Sequence, residues 1–193
     1  MSAARKARPL LPGVSERPAE ADVDAMIRVD HAGEFGALRI YEGQLAVLSR
    51  MPGAEASAEA FRHMAAQEKQ HFDAFAEIVK TRGVRPTALE PVWHVAGFTL
   101  GAATALMGEK AAMACTVAIE DVIDEHYTRQ IETLEAMPEE AALKRKVEDF
   151  LADEIQHRDD ALSHGAEQAP FYALLSSAIR FGCRTAIRLS ERL

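Results

Sequence analysis

The sequence predicts an all-α protein, six helices joined by short connections. Three observations carry this. Apolar residues recur at spacings of three and four almost throughout, and the alternation expected of strands is missing. Proline and glycine fall between the periodic stretches, at Met51-Pro52-Gly53, from Gly83 to Pro86, at Pro138 and at Gly165. The chain also aligns with itself, without a gap, at an offset of 86 residues: 13 of the 43 positions from 32 to 74 match their counterparts.

Residues 1–20 carry Arg5, Lys6, Arg8 and Arg17 with prolines at 9, 12 and 18, and read as a flexible tail before a single domain over 21–193. That tail has no signal-peptide core, and its prolines argue against an amphipathic transit peptide. Asp22 or Asp24 is expected to cap a first helix reaching about Arg50. A second helix runs from about Ala54 to Arg82, and an apolar third from about Pro91 to Met107. The fourth covers about Glu109 to Ala136 and the fifth about Pro138 to His164. The sixth runs from about Ala169 to the end, with Pro170 in its first turn. The repeat, over about 28–74 and 114–160, makes helices one and two recur as helices four and five.

Composition narrows the function. With 48% hydrophobic and 27% charged residues in 193, the chain folds around a core and is not disordered. A net charge of −8 excludes nucleic acid as a partner of the whole chain. Two cysteines, Cys115 and Cys183, exclude a disulfide scaffold and a four-cysteine zinc site; they fit a reducing compartment and read as small buried hydrophobes.

The helix faces carry the chemistry. The inward stripe of helix two reads Phe61, Met64, Glu68, His71, Phe75, Ile78, and that of helix five Val147, Phe150, Glu154, His157, Ala161. Helix one gives Ile27, Glu34, Leu38, Tyr41, and helix four Met113, Val117, Glu120, Tyr127. Each apolar stripe is interrupted by a carboxylate, and two also by an imidazole. An unpaired buried carboxylate costs several kcal/mol or takes up a proton. Four glutamates converging on one core need compensation, and two divalent cations supply it with both imidazoles neutral. Glu-x-x-His puts both side chains on one helix face. One Glu from each of two helices plus one Glu-x-x-His from each of the others is the pattern of carboxylate-bridged di-metal bundles. Oxygen ligands with imidazole and no thiolate favour iron or manganese over structural zinc. Glu-x-x-His alone is a weak signal; the strength lies in both copies following a core-facing Glu by 34 residues.

Other residues are lesser candidates. His126, beside Tyr127, is a candidate to hold a ligand or shuttle a proton. Tyr41 and Tyr127 lie two turns after their glutamates, and Tyr127 is favoured because His126 adjoins it. Asp30 is a candidate to orient a ligating histidine. His31, His63, His94 and His164 have no counterpart at the repeat offset and read as ordinary helix histidines.

Two features exceed what the metal needs. Val92 to Gly108 has no formal charge with His94 neutral, but its 17 residues sit at the lower limit for a membrane span. It reads as a buried helix, or as one lying at a membrane interface. On the last helix Arg180, Arg184, Arg188 and Arg192 recur every four residues, opposed within that stretch only by Glu191. Such a helix reads as one that lies on an anionic membrane with its arginines at headgroups, or as the solvated outer face of a bundle helix.

The segments RVDHAGEFGALRIYEGQ (28–44), QEKQH (67–71), RPTALEPVWHVAGFTLGAATALMG (85–108), ACTVAIEDVIDEHY (114–127), DEIQHRD (153–159) and CRTAIRLSERL (183–193) closely resemble the demethoxyubiquinone hydroxylase family of ubiquinone biosynthesis. The resemblance covers about residues 24–193 and includes the two extra helices, which iron-storage relatives lack. It implies a ferritin-like four-helix bundle with two additional helices and a non-haem di-iron centre. The implied ligands are Glu34, Glu68, His71, Glu120, Glu154 and His157. The implied reaction is O2-dependent hydroxylation of a polyprenylated demethoxyubiquinol, a monooxygenase step. It further implies peripheral membrane attachment and a lipid-binding accessory protein, with a homo-oligomer compatible with the apolar surface. A long presequence is missing, so the expected place is the cytoplasmic face of a bacterial membrane, or the matrix side of the mitochondrial inner membrane for a processed chain. The alternatives are another ferritin-like di-iron protein of peroxidase or ferroxidase type, and a lipid-binding bundle with a structural metal. The electron donor is left open, since the chain has no dinucleotide fingerprint.

Overall fold

The computed structural model describes residues 18–193, so most of the tail expected over 1–20 lies outside the described residues. Six α-helices follow in order: α1 (Pro18–Leu48), α2 (Glu55–Arg82), α3 (Glu90–Leu106), α4 (Glu109–Leu134), α5 (Ala141–Ser163) and α6 (Tyr172–Ser190). No strand occurs among the described residues. The boundaries follow local chemistry. Gly83 ends α2 in the left-handed region, with φ of 68°, and lets the Val84 amide bond back to the Val79 carbonyl at 3.0 Å.

Three expected boundaries move. α1 begins at Pro18, so Asp22 and Asp24 lie inside the helix and do not cap its start. Pro138 opens a short 3-10 turn, Pro138–Glu140, and α5 starts after it. Pro170 precedes α6 and is not in its first turn. Proline holds Ala169 extended (φ −63°, ψ 144°), and Phe171 then reverses the chain at φ 55°.

The helices form three layers of two. α2 and α5 make one, α1 and α4 the middle, α3 and α6 the third; α1 packs on α2 and α3, and α4 on α5 and α6. Two apolar clusters close the ends of the four-helix part. One holds Tyr41, Leu48, Phe61, Met64 and Met113, the other Ile27, Phe75, Val79, Leu134 and Val147. Between them lies the polar layer described below.

The apolar third helix is only partly covered. It buries a small-residue edge, Gly97, Gly101, Thr104 and Ala105, and leaves Val92, Val95, Leu106 and Met107 exposed. Close approach to α1 explains the glycines: a Cβ on Gly43 would come within 2.8 Å of the Ala102 amide nitrogen, and one on Gly101 within 2.8 Å of the Ile40 carbonyl carbon. Among the described residues no helix is long and apolar enough to cross a membrane. The C-terminus is tied down too, the Leu193 carbonyl accepting from the Ala88 amide at 3.1 Å and from Arg85 at 3.2 Å. Cys115 is buried and Cys183 half-buried, both as free thiols in the apolar seam that α6 shares with α4.

The basic stripe on α6 is corrected by its neighbours. Arg180 pairs with Asp121 at 3.1 Å and Arg184 with Glu125 at 2.8 Å, so α4 answers two of the four arginines. Reading α6 alone could not reveal acids arriving from another helix. Arg188 and Arg192 remain exposed.

Glycine at the α1–α3 contact is directly testable. Gly101→Ala forces a methyl group onto the α1 backbone and is expected to cost about 1–3 kcal/mol, as overpacking does. Thermal unfolding of the variant should show a Tm several degrees below the parent; an unchanged Tm contradicts the close approach.

Candidate metal centre

The six residues expected to hold metal come together in the middle of the bundle. Glu34 comes from α1, Glu68 and His71 from α2, Glu120 from α4, Glu154 and His157 from α5, and none is more than 2% exposed. They form two groups with metal-ligating atoms within 4.8 Å of one another: Glu34, Glu68, His71 and Glu154, and Glu68, Glu120, Glu154 and His157. Glu68 and Glu154 belong to both groups, so they lie between the two positions. His71 turns Nδ1 inward, 3.1 Å from Glu154 Oε1, 3.6 Å from Glu34 Oε2 and 3.8 Å from Glu68 Oε2. His157 does the same, its Nδ1 lying 3.1 Å from Glu154 Oε2 and 3.3 Å from Glu68 Oε1.

The residues fit a pair of divalent ions. Glu34 Oε2, both oxygens of Glu68, His71 Nδ1, Glu120 Oε2 and Glu154 Oε1 are buried without a hydrogen-bond partner. Buried polar atoms are otherwise almost always paired, and six of the ten unpaired side-chain atoms among the described residues belong to this one cluster. Among the described residues no lysine or arginine pairs with any of the four glutamates.

Protons take up part of this charge in the metal-free protein. Burial, then the charge of neighbouring carboxylates such as Glu154, pushes Glu68 and Glu120 well above the usual carboxylate range. Burial alone would raise Glu154 and lower His71. Close approach of the opposite groups overcomes that: the imidazoles of His157 and then His71 bring Glu154 down to about 2, and the carboxylates of Glu154 and then Glu34 bring His71 up to about 10.

A surrounding layer of polar groups holds the six in place. Tyr41 donates to Glu120 Oε1 at 2.7 Å, and Tyr127 donates to Glu34 Oε1. Each tyrosine thus braces the glutamate of the opposite repeat half, and Tyr41 stands on equal terms with the favoured Tyr127. Burial raises both phenols, which keeps them donors. On the outer side, His71 Nε2 meets Asp153 Oδ2 at 3.0 Å and His157 Nε2 meets Gln67 Oε1 at 3.1 Å. Sequence reading missed Gln67 and Asp153. They occupy equivalent repeat positions but differ in identity, so a search for matching residues passes over them.

Asp30 does not orient a ligating histidine. It accepts from Gln130 at 2.8 Å and meets His126 Nε2 at 3.2 Å, and neither residue belongs to either group. His126 accordingly reaches Asp30 and not a glutamate of the cluster. His31 lies against Phe72 and His94 stacks on Phe35, while His63 and His164 are exposed.

Metal and protons compete for these groups, and the sign of the pH dependence follows. Glu68, Glu120 and His71 have folded pKa values raised above their unfolded ones, so their contribution to stability is present at low pH and is lost as pH rises. For His71 the window runs from the ordinary value of 6.5 to about 10. A divalent ion replaces those protons and removes the loss. The Tm gap between metal-loaded and metal-free protein is therefore expected to widen from about pH 6 to about pH 9; a gap that narrows contradicts this charge balance.

Comparison with known proteins agrees with this architecture. Residues 21–190 match the family model of the ubiquinone biosynthesis protein COQ7. A 3-demethoxyubiquinol 3-hydroxylase of Rhodospirillum rubrum is 50% identical over 192 residues, covering 100% of this chain and 87% of that protein. The human mitochondrial NADPH-dependent 3-demethoxyubiquinone 3-hydroxylase is 52% identical over 175 residues, covering 90% of this chain and 79% of that protein. The mitochondrial 5-demethoxyubiquinone hydroxylase of Saccharomyces cerevisiae is 37% identical over 187 residues, with coverage of 90% and 79%. A six-helix bundle around a repeated Glu and Glu-x-x-His cluster and a family match over nearly the whole chain lead to one conclusion: this chain belongs to the COQ7 family of ubiquinone biosynthesis proteins.

Proposed function

We propose that this chain hydroxylates a polyprenylated demethoxyubiquinol with O2, at a non-haem centre of two iron ions held by Glu34, Glu68, His71, Glu120, Glu154 and His157. The observation that carries this reading is the pair of groups sharing Glu68 and Glu154, with no lysine or arginine among the described residues paired to their glutamates. The relatives' names support the substrate. Two divalent ions balance four carboxylates, and an oxygen-rich site without thiolate suits iron. When bound, the metal pair supplies the binding and reduction of O2.

The chain's own residues do the rest. Glu68 and Glu154 span the two positions, while Tyr41 and Tyr127 fix Glu120 and Glu34. The apolar clusters at both ends exclude water from the reacting layer. In the balanced reaction one oxygen atom enters the quinol ring and the other leaves as water, which takes two electrons and two protons. Several relatives are named NADPH-dependent, which supports a nicotinamide as the electron source.

The third layer gives the quinol's tail and a membrane a place to meet the protein. α3 leaves Val92, Val95 and Leu106 exposed, and α6 with the residue before it exposes Phe171, Leu174 and Phe181, with Arg188 and Arg192 toward the C-terminus. Apolar side chains flanked by arginines suit peripheral attachment to an anionic surface. In this reading the surface is the cytoplasmic face of a bacterial membrane, or the matrix side of the inner membrane for a mitochondrial chain. The same face suits a lipid-binding accessory protein or a second copy of the chain.

Glu154→Ala removes a residue common to both groups and is expected to abolish iron loading and quinol hydroxylation together. Full activity in that variant contradicts the site. Val95→Asp with Phe181→Asp is expected to leave iron content intact and weaken binding to anionic liposomes. Each large apolar side chain contributes on the order of 1.5–3 kcal/mol when buried, so the loss should reach at least about tenfold. Unchanged liposome binding contradicts the attachment surface.

A further inference from the structure

The outer nitrogens of the two site histidines belong to one hydrogen-bonded chain. Asp153 Oδ2 lies 3.0 Å from His71 Nε2, and Asp153 Oδ1 accepts from Gln67 Nε2 at 3.3 Å. Gln67 Oε1 in turn lies 3.1 Å from His157 Nε2. A carboxylate only accepts, so both His71 Nε2 and the Gln67 amide nitrogen must donate to it. That fixes the Gln67 amide with its oxygen toward His157, and His157 Nε2 must donate as well. In the neutral ring that a metal requires, each imidazole then keeps its proton outside and turns its Nδ1 lone pair toward the carboxylate cluster, where His157 Nδ1 lies 3.1 Å from Glu154 Oε2. His71 Nδ1 has no hydrogen-bond partner there.

We infer that Asp153 is the positioning residue that sets the tautomer of both site histidines, directly at His71 and through Gln67 at His157. The inference rests on the two-metal reading of the cluster. It also makes the two positions unequal. Residues 67 and 153 are equivalent in the repeat, yet only one is a carboxylate. His71, hydrogen-bonded to a charge, is the more basic donor; His157, bonded to a neutral amide, is the weaker one.

Asp153 is 43% exposed, so its substitution does not threaten the core. Asp153→Asn leaves one acceptor and one donor where two acceptors were needed. If the new NH2 faces His71, that ring must accept at Nε2 and carry its proton at Nδ1, where it blocks the metal. If the NH2 faces Gln67, the Gln67 amide turns over and the same loss falls on His157. Either way one imidazole is lost. Adding Gln67→Glu moves the carboxylate across the repeat. The carboxylate introduced at position 67 would accept from His157 and from the amide introduced at position 153, and the oxygen of that amide would accept from His71. Both lone pairs would point inward again.

The test is a titration of metal-free protein with Co(II), followed by its visible absorption, with far-ultraviolet circular dichroism to verify folding. The parent is expected to bind two ions. Asp153→Asn should bind one as before and the second about 10–100-fold more weakly, and the double variant, Asp153→Asn with Gln67→Glu, should recover it. Two unchanged sites in Asp153→Asn, or no recovery in the double variant, overturn the inference and leave the two-metal reading standing. Parent protein that takes up no Co(II) overturns both.

Discussion

Four carboxylates that repel one another in a buried layer set the terms for the rest of this molecule. Removing such charge from water costs several kcal/mol per group, and no lysine or arginine among the described residues answers it. In the proposed reading two metal ions supply the compensation, since Glu68 and Glu154 each belong to both groups of ligating atoms. The tyrosines, the outer amide and carboxylate, and the apolar clusters at either end then serve to hold these ligands against their own repulsion.

The internal repeat explains how a chain of this size builds such a site. Each half supplies a helix with one Glu and a helix with Glu-x-x-His, and each half's tyrosine reaches across to the other's glutamate. Departures from the repeat are where the two groups of glutamates and histidines acquire different surroundings. Gln67 faces Asp153, and Asp30 with His126 has no equivalent, since Thr116 and Ile40 occupy the matching places. The third layer is a second departure: α3 fills the long crossover and α6 follows the repeat. α3 keeps small residues inward, α6 buries Ser176, Ile179 and Ser190, and both leave large apolar residues exposed.

Much of this was legible in the sequence because the signals were periodic. Glutamate on an apolar stripe, twice, at a fixed offset, was enough to place Glu34, Glu68, Glu120 and Glu154 in one core. Less legible were contacts between elements. The pairing of Arg180 with Asp121 and of Arg184 with Glu125 joins helices 59 residues apart in sequence, so a stripe read along α6 alone looked free. Asp30 likewise sits one turn from Glu34 but turns toward α4. Gln67 and Asp153 adjoin the glutamates themselves, and only the orientation of the imidazoles shows what they do.

The most direct measurement is a single turnover of reduced, iron-loaded protein in detergent with a short-chain demethoxyubiquinol and isotopically heavy O2, read by mass spectrometry. The account predicts one heavy oxygen atom on the quinol ring. Iron that oxidises while the ring gains no label would contradict it.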